Sequence, residues 1–498
     1  MSRVIDAHLP ALQIVLPLVA APLCVVLRDA RAAWALTLLI SWAALAIAIM
    51  LLVQVLATGP ITYELGNWLA PWGIEFRIDG VNAFILVVVS AIAAIVVPYA
   101  YASVKAEIEE ERIYLFYCMY LLTLTGLLGI VITGDAFNIF VFLEISSLST
   151  YVLVSLGRDR RAMTAAYQYL IMGTIGATFI LIGIGLLYMM TGTLNLADLA
   201  KRVPPIAESR TVLAAFGFIT VGTSLKLALF PLHQWLPNAY AYAPSTVSAF
   251  LAGTATKVSL YILIRFIFTV FGASFAFGTL PLDIVLPVLA VLAMFVASTV
   301  AIFQQDIKRM LAYSSIAQIG YMILGISFAS VTGVAAGLLH IFNHALMKGG
   351  LFLALGCVML RLGSVQIEDM RGLGKRMPVT MAAFVVGALS LIGIPLTAGF
   401  ISKWYLVLAA LEKGQWYFAV LIVLSSLLAV IYMWRVIEAV YFRPVPNTDA
   451  ARNAREAPLG MLVPMWVLIG ANIYFGIETS GSLGVARRAA AMLLGAGS

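Results

Sequence analysis

Apolar runs of about 20 residues, the length a helix needs to cross a hydrocarbon core, recur from one end of this chain to the other. Fourteen can be counted, centred near residues 18, 45, 92, 122, 146, 177, 219, 257, 290, 320, 347, 388, 428 and 467. A segment surrounded by lipid must satisfy its backbone internally, so each run is expected to be helical. The chain then reads as an all-α polytopic membrane protein of about fourteen transmembrane helices. Its composition, 63% hydrophobic and 11% charged, lies far from that of a soluble domain. The first run lacks the basic flank and small-residue cleavage site of a removed signal peptide, so it counts as a helix.

Basic residues between the runs set the expected orientation. With the N-terminus outside, sixteen fall in inner loops, among them Arg28, Arg158, Arg161, Lys308 and Arg443, against eight on the outer side. The positive-inside rule then puts both termini on the outer side. These loops and a few intramembrane cations account for the net charge of +7, which therefore gives no reason to expect a nucleic-acid partner.

Resident cofactors and metals are not expected. Cys24, Cys118 and Cys357 lie singly in apolar runs, without the spacing of a zinc, iron–sulfur or haem site. No phosphate-binding glycine motif occurs either. Energy for transport would come from an ion gradient or from a partner.

Six cations remain inside the runs: Lys226, Lys257, Arg265, Lys348, Lys403 and Arg435. A charge at the bilayer centre costs at least ~2.5 kcal/mol, and such residues usually face the bundle interior along an ion or proton path. Arg435 has Glu438 one turn away and is expected to form a structural pair with it. Arg265, two turns beyond Lys257, reads either as a snorkelling side chain or as a link to the outer surface.

Lys226 precedes Pro231, and Lys403 follows Pro395 and two glycines in LIGIPLTAGFISKW. A proline inside a helix removes a donor and clashes with the preceding turn, so the seventh and twelfth segments are expected to be discontinuous. Paired broken helices in matching halves point to a transport site. Placed five segments apart, they imply a duplicated five-helix unit, with weak support from TFILIG (178–183) and LFLALG (351–356). The expected units are residues 1–110 (helices one to three), 111–272 (helices four to eight), 273–444 (helices nine to thirteen) and 445–498 (a linker, helix fourteen and the tail).

Glu144, amid Phe142, Leu143 and Ile145, has no basic residue nearby on its own helix. A buried carboxylate protonates or finds a cation on another helix, and Lys226 is the expected partner. Asp135 and Asn138, near the outer start of that helix, read as a solvated cap. In LLHIFNHALMKGG, His340, His344 and Lys348 are spaced four apart and share one helix face, about 6 Å apart in rise. They could relay protons. Binding zinc would require a further ligand, such as the glutamate of H-E-x-x-H, that this stretch lacks.

The strings VFLEISSLSTYVLV, LKLALFPLHQWLPNAYAYAPSTVSAFLAGTATKVSLYIL, DIKRMLAYSSIAQIGYM, HIFNHALMKGGLFLALG and IGIPLTAGFISKW, with FRIDG at 76–80, closely resemble the antiporter-like subunits of respiratory complex I, membrane-bound hydrogenases and Mrp-type cation/proton antiporters. The resemblance implies two inverted five-helix repeats. It also implies a midmembrane proton relay of Glu144, Lys226, Lys257 and Lys403, connected through His340, His344 and Lys348. Chain length, TGTLNLADLA after the sixth segment and a lysine at 403 are most similar to the Mrp D subunit.

The expected function is therefore proton translocation within a multi-subunit Na⁺/H⁺ antiporter. Its partners would be other membrane subunits, and its location the inner (cytoplasmic) membrane. A proton-pumping subunit of a complex I-type or hydrogenase-type respiratory complex is the alternative. A non-transporting scaffold would leave the relay without a role, and a quinone oxidoreductase would need a redox group that the sequence does not reveal.

Overall fold

A computed structural model describes residues 2–495, so the extreme ends of the first and last expected units lie outside the described residues. The chain runs through α1 (Ser2–Leu27), α2 (Ala30–Thr58), a hairpin of β1 (Ile61–Glu64) and β2 (Glu75–Ile78), α3 (Gly80–Glu107), α4 (Ile113–Ile132), α5 (Ala136–Ser155), α6 (Arg161–Thr191) and α7 (Leu196–Arg202). It continues with α8 (Arg210–Leu227), α9 (Trp235–Tyr242), α10 (Ser245–Ile264), α11 (Leu282–Leu292), α12 (Ser298–Ile302), α13 (Ile307–Ser327) and α14 (Val331–Leu362). The last elements are α15 (Pro378–Ile392), α16 (Ala398–Glu412), α17 (Trp416–Phe442), α18 (Asp449–Arg452), α19 (Leu459–Ile477) and α20 (Ser480–Leu493).

Among the described residues, twelve helices, some continued by a short helical turn, are long and apolar enough to cross a membrane. The remaining two expected segments are the interrupted ones, α8 with α9 and α15 with α16. Apolar character all round a helix means burial in protein or in lipid, and both occur. α3, α10 and α13 are enclosed by other helices, whereas α2, α6 and α17 turn residues such as Trp42, Tyr167 and Leu427 outward. The protein is a multi-pass membrane protein.

Each interruption closes in the same way. At the end of α8, Ala228 takes the left-handed conformation (φ 61°), and its N–H donates to the Leu225 carbonyl at 3.1 Å. Pro231 follows before α9 begins. At the end of α15, Gly393 (φ 95°) donates to the Leu389 carbonyl at 3.0 Å, and Pro395 follows before α16. Gly399, in the first turn of α16, lies so close to α15 that a Cβ there would meet the Ser390 carbonyl oxygen at 1.9 Å.

Arg265 neither snorkels nor stands alone. Its guanidinium pairs with Asp79 at 2.5 Å, and its Nε donates to the Tyr261 hydroxyl at 3.0 Å. Asp79 also caps α3, accepting from the backbone N–H groups of Val81 and Asn82. The FRIDG string is therefore a strand end and a helix cap joined to α10 by a buried ion pair. We expect Asp79→Ala to strand the guanidinium and cost about 3 kcal/mol, read as a lower Tm of the purified assembly. Asp79→Asn, which can still accept from the α3 N–H groups, should lose less.

Candidate functional site

Lys226 lies in the last turn of α8 and is buried. Its ammonium donates to Ser147 Oγ at 2.7 Å and to the Tyr151 hydroxyl at 3.4 Å, both on α5. The carbonyls at its own helix end have other partners: Trp235 Nε1 donates to Leu225 O at 3.0 Å and the Leu229 N–H to Ser224 O at 2.9 Å. Gly173 of α6 makes room for this arrangement, since a Cβ there would stand 1.9 Å from the Tyr151 hydroxyl. A cavity of about 30 Å³, lined by Lys226, Ser147, Thr150, Ala255 and Ser259, extends from α5 to α10. It is large enough for one or two water molecules.

Lys257 is enclosed on α10, donating to the Ala252 carbonyl and, at 3.4 Å, to Thr256 Oγ1. α10 packs against α14, which carries the histidines. The rings of His340 and His344 stack with centroids 6.2 Å apart, as expected for residues one turn apart. Both ring nitrogens of His344 are buried without a hydrogen-bond partner. One turn further, Lys348 donates to the Leu311 carbonyl at 2.7 Å and to Ser314 Oγ, both on α13.

His340 joins the row to the second break. Its Nε2 lies 2.8 Å from Gln318 Oε1 and its Nδ1 2.7 Å from Ser402 Oγ, the residue preceding Lys403. The Lys403 ammonium donates to the last carbonyls of α15, Leu391 at 3.0 Å and Ile392 at 2.9 Å, and to Ser426 Oγ at 3.1 Å. It also lies 4.7 Å from the ring centre of Tyr321, within cation–π range. Carbonyl oxygens at a helix C-terminus carry partial negative charge and favour a cation there.

Several expectations need correction. Glu144 makes no direct ion pair with Lys226: the ammonium goes to Ser147, one turn along α5, and Glu144 Oε1 has no hydrogen-bond partner. Arg435 does not pair with Glu438, which Arg443 takes at 3.2 Å. Arg435 instead donates to the Ile302 and Gln304 carbonyls at and just past the end of α12, oxygens left free where a helix ends. Lys308, counted above as a loop charge, is 1% exposed. Asp135 does cap α5, accepting from the Asn138 N–H at 2.7 Å, but it is buried rather than solvated.

Sequence reasoning missed the neutral partners Ser147, Tyr151, Thr256, Ser314, Gln318, Tyr321, Ser402 and Ser426. A signal was present in part. Ser147 and Tyr151 follow Glu144 at helical spacing, and Ser314, Gln318 and Tyr321 share one face of α13.

Comparison with known proteins gives a consistent result. Residues 133–429 match the family described as "NADH:quinone oxidoreductase/Mrp antiporter, TM". The chain is 44% identical to the N subunit of the NADH-quinone oxidoreductase of Desulforudis audaxviator, covering 93% of this chain and 94% of the relative. It is 31% identical to the D subunit of the Na(+)/H(+) antiporter of Alkalihalophilus pseudofirmus, covering 87% and 86%. A chain in the structure of the Mrp complex from Dietzia sp. DQ12-45-1b superposes with a TM-score of 0.91 at 25% identity, covering 99% of this chain and 98% of that one.

Gly393 provides a test of the Lys403 site. An added Cβ would lie 3.0 Å from Lys403 Cδ, and φ is +95°; Gly414 has φ +71° with open space around it. Both alanine variants carry a left-handed backbone cost of about 1 kcal/mol. We expect Gly393→Ala alone to depress ion flux at equal protein level, because only there does the methyl group press on the lysine side chain that carries the ammonium.

Proposed function

Because the chain belongs to the NADH:quinone oxidoreductase/Mrp antiporter family of membrane subunits, we propose that it is the proton-translocating subunit of a multi-subunit Na⁺/H⁺ antiporter. As an antiporter-like subunit it works with other membrane subunits of a complex. The observation that carries the proposal is the row of buried ionisable groups from Lys226 through Lys257, His344 and His340 to Lys403, in which all but His344 are held by hydroxyls, an amide or backbone carbonyls.

Neutral acceptors suit such a relay. They satisfy an ammonium's donors without a fixed counter-charge that would hold one protonation state. Glu144, one turn from Ser147, acts on Lys226 at longer range. At an effective dielectric near 20, unit charges at ~4 Å attract by about 4 kcal/mol, and less beyond that. A shift of α5 relative to α8 would change this attraction and bias the proton toward Lys257. From there it passes along the row of Lys348, His344 and His340 to Lys403 at the second break. In this reading residues 111–272 and 273–444 are two inverted five-helix repeats, each with its break beside a lysine. The protein sits in the inner (cytoplasmic) membrane with both termini outward. Any Na⁺ site lies partly or wholly on another subunit.

A second reading, a proton-pumping subunit of a respiratory complex, is favoured by the higher identity to the NADH-quinone oxidoreductase subunit than to the antiporter subunit. Both readings use the same relay. Purification of the native assembly separates them: iron–sulfur subunits would establish the respiratory reading, and a set of membrane subunits with Na⁺-dependent proton flux the antiporter reading. In inverted vesicles we expect Lys257→Ala and Lys348→Ala to lower flux at least about tenfold, whereas Phe342→Leu, which alters aromatic packing against Phe84 and Phe475, should change it little. Full flux in Lys257→Ala would favour a scaffold role.

A further inference from the structure

The ionisable row is closed off from bulk water. Lys226, Lys257, His340, His344, Lys348 and Lys403 are each no more than 6% exposed. A proton must reach this row from one aqueous phase, and the side chains between the row and the surface decide where.

A cavity of about 440 Å³ lies where the α5–α6 turn, the α9–α10 turn, the start of α13 and the end of α14 meet. Its walls carry Glu107 from α3, Arg158, Asp159 and Arg161 from the α5–α6 turn, and Asp306 and Lys308 from α13 and its cap. This is a mixed-charge, water-accommodating mouth rather than an apolar crevice. Several of the charges are already engaged. Glu107 accepts from the Ser245 N–H at 2.9 Å, Arg161 pairs with Asp159 at 2.5 Å, and Asp306 accepts from the Arg309 N–H at 2.9 Å.

Lys308 differs from them. It lines the cavity yet is 1% exposed, and its ammonium donates to the Ala243 carbonyl, at the C-terminal end of α9, at 3.2 Å. One turn further along α13 is Leu311, whose carbonyl accepts from Lys348 at 2.7 Å. Ser314, the other partner of Lys348, donates to that same carbonyl at 2.9 Å. Lys308 thus lies between the cavity and the end of the histidine–lysine row, three residues before Leu311 on α13.

We propose that this cavity is the aqueous port of the relay and that Lys308 is its first proton carrier. The neutral Lys308 amine takes a proton from water in the cavity. The ammonium, released from the Ala243 carbonyl, gives that proton to a line of intervening water that protonates the neutral amine of Lys348, and returns to the neutral form. The proton is then on the row, next to His344. The inference rests on the relay reading above and adds to it the place where protons enter.

The experiment uses the whole complex in inverted vesicles, with flux per assembled complex as the readout. Lys308→Arg keeps a cation at the Ala243 carbonyl but cannot give up its proton, so a carrier role predicts a loss of about a hundredfold in both Lys308→Arg and Lys308→Ala, the lower end of what a positioned acid–base group contributes. A purely structural role predicts that arginine restores flux, and that result would overturn the proposal. A second variant does not depend on lysine chemistry. Ala106 lines the mouth, while Cys24, Cys118 and Cys357 are buried. Ala106→Cys treated with a bulky, membrane-impermeant thiol reagent should lose flux on labelling, and full flux after complete labelling would show that protons enter elsewhere. His340→Ala, run in parallel, keeps the two readings apart: its full activity would remove the relay itself, whereas its inactivity beside an active Lys308→Arg would remove only the port.

Discussion

A carbonyl oxygen freed inside a hydrocarbon core must find a donor, and this requirement links the broken helices to the placement of cations. Pro395 ends α15 early, and Lys403 reaches back to the two carbonyls exposed at that end. Lys308 does the same for α9, and Arg435 for the end of α12. Each buried cation gains acceptors, and each helix end gains a donor. The break beside Lys226 is solved differently: the Trp235 indole satisfies Leu225 O, leaving the lysine free to cross to α5. One of the two otherwise similar breaks therefore anchors its lysine, while the other sends its lysine to a neighbouring helix.

Coordination by neutral groups gives the row its chemical character. Paired carboxylates would hold ammonium groups as ion pairs, and a buried ion pair is costly to break. Ser147, Tyr151, Thr256, Ser426 and the helix-end carbonyls satisfy hydrogen bonds without that cost. The one strong buried pair among the described residues, Arg265 with Asp79, lies two turns along α10 from Lys257 and ties that helix to the cap of α3. A guanidinium stays protonated, so it suits this anchoring role and not a relay.

Family membership sets the broad frame: an antiporter-like subunit acting with membrane partners. Within that frame the port at Lys308 and the relay make separable claims. The relay concerns side chains deep in the bundle, whereas the port concerns which surface cavity feeds them.

Much of this was legible in the sequence, because membrane helices obey local rules. Apolar length marks the spans, Pro231 and Pro395 mark the breaks, and spacing by four puts His340, His344 and Lys348 on one face. Asp135 as the cap of α5 was readable for the same reason. Partner choice was not readable, because it depends on which helices pack together. Glu144 and Lys226 looked like a pair as the charged residues of one unit, yet the fold brings Ser147 to the ammonium. Arg435 looked paired with Glu438 one turn away, yet Arg443 and the end of α12 compete for the two groups. Lys308 sits among loop charges in the sequence, and only the convergence of α3, α9, α13 and α14 buries it beside a cavity. Sequence alone determined the elements and the ionisable inventory, since both follow from short-range spacing and solvent. Tertiary structure decided which acceptor each proton-bearing group meets, since that is set by contacts between helices far apart in the chain.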